Sequence, residues 1–196
     1  MLTLYNCGPS GNCYKARLLA ALLHIDLSAV DVSLMKGEQR TPDYLAINPK
    51  GQVPALVDDD AKITLTDSAA ILIYLAGKSS YWSAAVSEQA LITNWLAFAG
   101  TTVAAGLGLA RAILLFGIPG ALGEAQKKGE MSLNIIEKHL AGREWLECNR
   151  PTIADVAIFV YVSEAPVGKV SLEPFENVRN WIDRVKALPG FVPMDG

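Results

Sequence analysis

The pattern of predicted secondary structure changes once along the chain, after Gly77, and this change limits the folds that the chain can adopt. Before Gly77, short β-prone runs alternate with helical periodicity, whereas every apolar-periodic segment after it is typical of a helix. We therefore expect an α/β domain at residues 1–78 and an all-helical domain at residues 86–196, with a short linker between them. A chain of 196 residues is long enough for two small domains.

The order of elements in the first domain predicts a mixed four-stranded sheet. The β-prone runs are residues 2–5, 29–32, 53–57 and 62–65. The first two are separated by a helical segment, so they should be parallel and joined by a right-handed crossover. The last two flank the turn Asp58–Asp60 and should form an antiparallel hairpin. A helix should follow, starting at Thr66 or Asp67 and ending near Ala76, and helices should cover both faces of the sheet.

The composition excludes several classes of protein. Hydrophobic residues make up 51% of the chain and charged residues 19%, which rules out a disordered chain. The formal net charge of -3 gives no basic excess for binding nucleic acid or an anionic membrane. We expect no membrane-spanning segment, because Arg111 and Pro119 interrupt the most apolar stretch. The first residues are typical of a strand, so we expect no signal peptide and a cytoplasmic location.

The cysteines and histidines are too few and too scattered to define a covalent framework. Cys7, Cys13 and Cys148 are odd in number, which does not fit a set of structural disulfides. His24 and His139 do not approach these thiols at the spacing of a zinc site. The sequence therefore predicts no metal and a reducing compartment.

The segment Cys7–Cys13 lies between the first strand and the first helix and is the first candidate site. The N-terminus of a helix presents unpaired N–H groups and a partial positive charge, which stabilise an anion such as a thiolate. Ser10 is placed to cap this helix. Its hydroxyl is also placed to donate a hydrogen bond to the thiolate of a ligand.

The segments Asn48–Leu56 and Thr66–Ser68 are further candidate sites. Pro54 cannot donate to a sheet ladder, so it should lie at a strand start or an edge, with the backbone of Val53 next to it. A free N–H and C=O on Val53 would pair with a peptide-like ligand. The helix start after Thr66 suits a carboxylate and Asp67 suits an ammonium, which together indicate recognition of an α-amino acid.

Together these segments resemble the cytosolic glutathione S-transferase family, in particular its serine- or cysteine-type, bacterial-like members. The motifs that carry the resemblance are Leu4–Arg17, Asn48–Leu56 followed by Asp67–Ile71, and Pro151–Ala157. The last resembles the N-capping box of the family's helical domain, in which Thr152 caps the helix and Asp155 closes the box. The resemblance implies a thioredoxin-like domain followed by an all-helical domain, and a homodimer.

The resemblance also assigns roles to individual residues. It implies that Ser10 is catalytic and that the Val53–Pro54 peptide bond is cis. The residues that it places at bound glutathione are Ser10, Gln39, Lys50, Gln52, Val53, Pro54, Asp67 and Ser68. Many members carry Glu or Gln where this chain has Asp67, so the contact to the ligand's ammonium is either direct or through water. Leu107, Arg111 and Tyr161 are candidates for the wall of a second-substrate pocket.

The function that this resemblance implies is a glutathione transferase. Glutathione would be a co-substrate, and its thiolate would attack a small hydrophobic electrophile, with detoxification as the implied role. Two other enzyme activities stay open: glutathione-dependent reduction of disulfides or peroxides, with Cys7 or Cys13 as the candidate thiols, and a zeta-class type of cis–trans isomerisation. The alternative of another class is a non-catalytic binding module with the same fold.

Overall fold

The computed structural model describes residues 1–77 and 79–194, which form two compact units. The first unit contains the chain up to Gly77 together with the segment from Pro189, and the second ends at Leu188. The predicted helical domain at 86–196 differs from this division at its C-terminal end. The final segment packs in the first unit, where the Tyr14 hydroxyl donates to the carbonyl of Val192 at 2.7 Å.

The first unit contains the mixed four-stranded sheet that the sequence predicts, with the strand order β2-β1-β3-β4. The strands are β1 Leu2–Asn6, β2 Ser28–Asp31, β3 Ala55–Asp58 and β4 Ile63–Leu65. β1 pairs in parallel with β2, and both other pairings are antiparallel. Tyr5 lies opposite Ala55 in the β1–β3 ladder. The end of β1 and the residues just before β3 therefore share one edge of the sheet.

The helices of the first unit pack on this sheet through apolar side chains. They are α1 Gly11–Leu22, α2 Pro42–Ile47 and α3 Ser68–Ala76, with a 3-10 turn at Glu38–Arg40 before α2. Leu4 and Leu56 of the sheet are fully buried together with Leu19 of α1 and Leu72 of α3. Burial of these side chains stabilises this unit, since apolar surface removed from water contributes about 25 cal/mol per Å².

The second unit is helical, as the periodicity predicts. Its elements are α4 Val86–Phe98, a π-helical stretch Ala99–Gly108, α5 Leu109–Phe116, α6 Leu122–Leu140, α7 Ile153–Ser163, a 3-10 turn Ala165–Gly168 and α8 Glu176–Lys186. Phe159 of α7 and Trp181 of α8 are buried and meet edge to face, with ring centroids 6.2 Å apart. The π-helical stretch crosses α6 at Gly106 and Gly129, where added Cβ atoms would come within 2.6 Å of neighbouring atoms. At Gly106 the close atoms belong to the backbone of Lys128 and Gly129, so only glycine permits the approach there.

By length and composition alone, one helix among the described residues, Val86–Phe116, could cross a membrane. The sequence predicted that Arg111 and Pro119 interrupt the apolar stretch, but Arg111 lies within this helix and Pro119 lies beyond its end. The core helix of a soluble protein passes the same test of length and composition. This helix contributes Ile92 and Val103 to the core of the second unit and packs against α6 and α7.

The predicted N-capping box at the start of α7 is confirmed, and its acid also joins three segments of the second unit. Thr152 Oγ1 accepts from the N–H of Ala154 at 3.2 Å, and Asp155 Oδ2 accepts from the N–H of Thr152 at 2.8 Å. Asp155 Oδ1 also accepts from the N–H of Leu146 at 3.1 Å and from Trp181 Nε1 at 3.0 Å. Burial raises the pKa of Asp155, and these donors oppose the shift because they stabilise the carboxylate.

We expect Asp155→Ala to lower the free energy of unfolding by about 3 kcal/mol or more, because it leaves several buried donors without an acceptor. Urea titration followed by circular dichroism measures this change. Asp183→Ala is the matched control, since Asp183 is exposed on α8 and its loss should cost less than about 0.5 kcal/mol. Equal stabilities of the two variants would contradict the structural role of Asp155.

Candidate active site

The loop between β1 and α1 presents Ser10 at the start of the helix. Ser10 has an extended backbone conformation and caps α1, with its Oγ 3.4 Å from the N–H of Cys13. The N–H of Ser10 donates to the carbonyl of Cys7 at 2.9 Å, which closes the turn before the helix. The Ser10 side chain is partly exposed. A hydroxyl and the positive end of a helix thus point to the same space.

Arg17, in the second turn of α1, stabilises this loop through hydrogen bonds. Its Nη2 donates to the carbonyl of Gly8 at 2.9 Å, and its Nη1 donates to Asn6 Oδ1. Asn6 in turn donates from Nδ2 to Asp31 Oδ1 at 2.8 Å. The Arg17 guanidinium also lies over the Tyr14 ring, 5.7 Å from its centroid. These contacts fix the loop backbone and therefore the position of Ser10.

Val53 lies beside this loop with free backbone groups. The Val53–Pro54 peptide bond is cis. Neither the N–H nor the C=O of Val53 has a hydrogen-bond partner within residues 1–77 and 79–194. The carbonyl of Gln52, by contrast, accepts from the Tyr44 hydroxyl and from Asn48 Nδ2, each at 2.6 Å. These contacts hold the turn and leave the Val53 backbone as the available peptide group at this edge.

The start of α3 adds a carboxylate and a hydroxyl to the same edge. Asp67 caps α3, and its Oδ1 accepts from the N–H of Ala69 at 2.8 Å and of Ala70 at 3.3 Å. Its side chain is exposed. The Ser68 hydroxyl donates to Asn12 Oδ1 at 3.4 Å and so links the first turns of α3 and α1. The structure therefore brings Ser10, Asp67 and Ser68 to one end of a packed helix pair.

Gln39 lies against the turn that carries Lys50 and Gln52. A Cβ added at Gly51, where φ is +59°, would lie 3.0 Å from the carbonyl oxygen of Gln39. Gln39 Oε1 is buried and has no hydrogen-bond partner among the residues that the structure describes. Lys50 and Gln52 are exposed. A ligand with a hydrogen-bond donor would satisfy the Gln39 oxygen.

Asn12 and Lys15 of α1 lie next to the residues of this candidate site, and no motif in the sequence indicated a role for them. Lys15 is only 3% exposed, and its Nζ donates to Asn12 Oδ1 at 2.9 Å. Burial lowers the pKa of Lys15 to about 8, while the Asp67 carboxylate acts in the opposite direction. The spacing of Asn12 and Lys15 could have indicated that they interact, because residues three apart share one face of a helix and this face is otherwise apolar. A lysine on that face requires polar partners.

The residues predicted for a second-substrate pocket lie in the second unit, and one of them must be corrected. Leu107 is fully buried and packs on Gly129, so it is a core residue with no surface to offer a substrate. Arg111 is also buried, and its Nε lies 3.4 Å from Glu164 Oε2 in an ion pair. Tyr161 is partly exposed, and its ring packs on Gly108.

The cysteine thiols near Ser10 are poor nucleophiles. All three cysteines are free. Burial raises the pKa of Cys13 to about 11, although the Ser10 hydroxyl and the backbone of Cys7 act in the opposite direction. Burial also raises the pKa of Cys7, against backbone N–H groups of Leu34 and Ser10. Both groups are therefore thiols at neutral pH, whereas the reactive form is the thiolate. Among the described residues, no cluster of three or more His, Cys, Asp or Glu could hold a metal.

We expect iodoacetamide at pH 7.5 to leave Cys13 of the folded protein unlabelled, because this thiol is protonated and fully buried. Peptide mass spectrometry measures the labelling of each cysteine. The denatured protein is the control, in which all three cysteines should react. Equal labelling rates of Cys13 in the folded and denatured protein would show that the thiol is accessible and activated.

Comparison with known proteins places this geometry in one family. The family models for the glutathione S-transferase N-terminal and C-terminal domains match residues 1–77 and 124–192. The chain is 35% identical to a possible glutathione S-transferase from Rhodopseudomonas palustris, with a TM-score of 0.94 over 100% of this chain and 98% of the other. It is 26% identical to a glutathione transferase family member from Pseudomonas fluorescens Pf-5 crystallised with two glutathione bound, with a TM-score of 0.85 over 96% and 89%. It is also 28% identical to the disulfide-bond oxidoreductase YfcG of Escherichia coli, over 96% of this chain and 92% of the relative. With its thioredoxin-like first domain and helical second domain, the chain belongs to the glutathione S-transferase family.

Proposed function

We propose that this protein catalyses the attack of the glutathione thiolate on a small hydrophobic electrophile. The observation that carries the proposal is the position of Ser10, whose partly exposed hydroxyl caps α1 beside the free peptide group of Val53 and the Asp67–Ser68 helix start. A thiol, a peptide bond and an α-amino acid end occur together in glutathione, and this edge offers a complement to each.

The reaction requires the sulfur of glutathione to lose its proton and form a bond to the electrophile. The Ser10 hydroxyl donates a hydrogen bond to the thiolate, and the N-terminal turn of α1 adds the field of its N–H groups. Both favour the charged form of sulfur and so lower the pKa of the bound thiol. Because Arg17 holds the loop, these donors are in place before the ligand binds.

The rest of the site holds the peptide so that its sulfur stays at Ser10. The N–H and C=O of Val53 pair with the cysteinyl part, while Asp67 and Ser68 hold the γ-glutamyl end. Gln39, Lys50 and Gln52 take the glycine end, where the buried Gln39 oxygen gains a donor. Fixing both ends reduces the entropy that must be lost in the transition state.

The electrophile, the oligomeric state and the location are part of the proposal. We propose a homodimer, as the family resemblance implies, and a cytoplasmic location, as the free cysteines suggest. Arg111 and Tyr161 stay as candidates near the electrophile, with Arg111 held by Glu164.

Glutathione-dependent disulfide reduction is the second candidate, and the similarity to YfcG favours it. Two glutathione molecules would reduce one disulfide, giving two thiols and oxidised glutathione, with the two protons supplied by the glutathione thiols. Because Cys13 is buried and Cys7 is protonated, the sulfur that attacks would be that of glutathione at Ser10 rather than a protein thiol.

We expect Ser10→Ala to lower kcat/KM for conjugation of 1-chloro-2,4-dinitrobenzene on the order of 100-fold, as when one oxyanion donor is lost. The wild-type protein should bind glutathione in the micromolar to low-millimolar range by isothermal titration. Absorbance of the bound thiolate as a function of pH should show that the thiol titrates at a higher pH in the variant.

Three substitutions at Ser10 separate its chemical role from its capping role. Ser10→Thr keeps the hydroxyl and should keep most of the activity. Ser10→Gly removes the hydroxyl but costs only a few tenths of a kcal/mol at a cap, whereas Ser10→Ala costs about 1 kcal/mol. Equal activity losses in Gly and Ala, despite unequal stabilities, support the proposal. Unchanged turnover in both would refute it, and no glutathione binding by the wild type would favour the binding-module alternative.

We expect Asp67→Asn to raise the dissociation constant for glutathione about tenfold, because the ligand's ammonium loses a charged partner. Asparagine caps helices as well as aspartate does, so the melting temperature should stay within a few degrees. Isothermal titration measures the affinity. Asp43→Asn is the matched control, since Asp43 is exposed in the first turn of α2. The same affinity in both variants would remove Asp67 from the site.

A further inference from the structure

Lys15 is a buried cation beside the candidate site that the proposed mechanism does not use. It lies on α1, one turn after Asn12, and it is 3% exposed. Its Nζ donates to Asn12 Oδ1 at 2.9 Å. With its pKa lowered to about 8 by burial, the side chain is still mostly an ammonium at pH 7. A buried ammonium is costly to place, whereas an apolar side chain of similar length would fill this space without that cost.

Lys15 determines which way the Asn12 amide faces. An ammonium only donates hydrogen bonds, so it accepts only the oxygen side of the amide as a neighbour. Ser68 Oγ contacts the same Asn12 oxygen at 3.4 Å. The Asn12 oxygen therefore accepts hydrogen bonds from Lys15 of α1 and Ser68 of α3. Its Nδ2 group, on the other side of the amide, has no hydrogen-bond partner among the described residues, and Asn12 is partly exposed.

We propose that Lys15 is a positioning residue of the glutathione site, which holds the Asn12 amide with its N–H donors toward the bound peptide. Asn12 lies two residues after Ser10 and contacts Ser68, so it stands between the sulfur and the γ-glutamyl end of the ligand. An acceptor atom of glutathione in this gap meets two N–H donors. The inference rests on the proposed function, since it deepens the same site.

A neutral residue at position 15 would not produce this arrangement. Without a donor-only neighbour, the amide can rotate by half a turn, because its oxygen and nitrogen ends are nearly equal in size. The rotated amide presents its oxygen to the ligand, and an acceptor then faces an acceptor. Lys15 therefore improves glutathione affinity without touching glutathione.

A double-mutant cycle on glutathione affinity tests this role. The variants are Lys15→Met, Asn12→Ala and the double variant, with Lys186→Met as the control because Lys186 is exposed at the end of α8. We expect each single variant to raise the dissociation constant about tenfold. The double variant should be no weaker than Asn12→Ala, because Lys15 acts through Asn12. Lys186→Met should bind as the wild type does.

The stability of the same variants separates positioning from a structural role. Lys15→Met should melt at or above the wild-type temperature, since it replaces a buried charge by an apolar chain. A loss of affinity with no loss of stability supports the proposal. An affinity that falls about 100-fold in the double variant, as independent effects would give, overturns it, and so does wild-type affinity in Lys15→Met.

Further variants cover the case in which Lys15→Met does not fold. Lys15→Gln then replaces it in the cycle, because its shorter side chain cannot carry a donor to the same place. Asn12→Asp keeps an acceptor for Lys15 but removes the N–H donors, so it should bind glutathione as weakly as Asn12→Ala while remaining stable. Tight binding by Asn12→Asp would overturn the proposal. If the wild type does not bind glutathione, the proposed function itself fails, which is a separate result.

Discussion

The antiparallel pairing of β1 with β3 is the contact on which the candidate site depends. With Tyr5 opposite Ala55, the chain leaves β1 at the edge where it also enters β3. After β1 the chain runs through the loop to Ser10, and before β3 it passes through Val53. A shift by one residue would turn Leu4 and Leu56 out of the core, so burial fixes the register. The relative position of the Ser10 hydroxyl and the free peptide group of Val53 is thus set by the hydrophobic core.

The N-termini of α1 and α3 meet at this edge, and their partial positive charges account for the acidic residue found there. α1 and α3 pack side by side, with Asn12 bonded to Ser68 at their first turns. Parallel N-termini repel each other and both attract anions. The Asp67 carboxylate compensates one of them, and in the proposed complex the glutathione thiolate would supply negative charge to the other. The buried Lys15 side chain adds a positive charge near Asp67; burial lowers the pKa of Lys15, and the Asp67 carboxylate opposes this shift.

Much of the fold and part of the site could be predicted from the sequence. The predictions that succeeded concern local contacts, and those that failed concern contacts between distant segments. Caps and turns are local, so Ser10, Asp67 and the Thr152–Asp155 box were found from a few neighbouring residues. The contacts that were missed join distant segments, as Asn12 does with Ser68. Leu107 was misplaced for a related reason, because helical periodicity does not tell which neighbour covers an apolar face. The final segment packs with the first unit through a tyrosine hydroxyl, which no periodicity reveals.

The two kinds of helix cap in this protein show why one acid is free for a ligand and the other is not. Asp155 is fully buried, and its two oxygens accept from Thr152, Leu146 and Trp181, so no lone pair faces solvent. Asp67 uses a single oxygen for its helix and remains exposed. Its second oxygen accepts no hydrogen bond within the described chain, and a ligand's ammonium can approach it. The same capping chemistry therefore stabilises the second unit at one position and leaves an exposed carboxylate oxygen at the other, and the difference lies in how many donors surround the carboxylate.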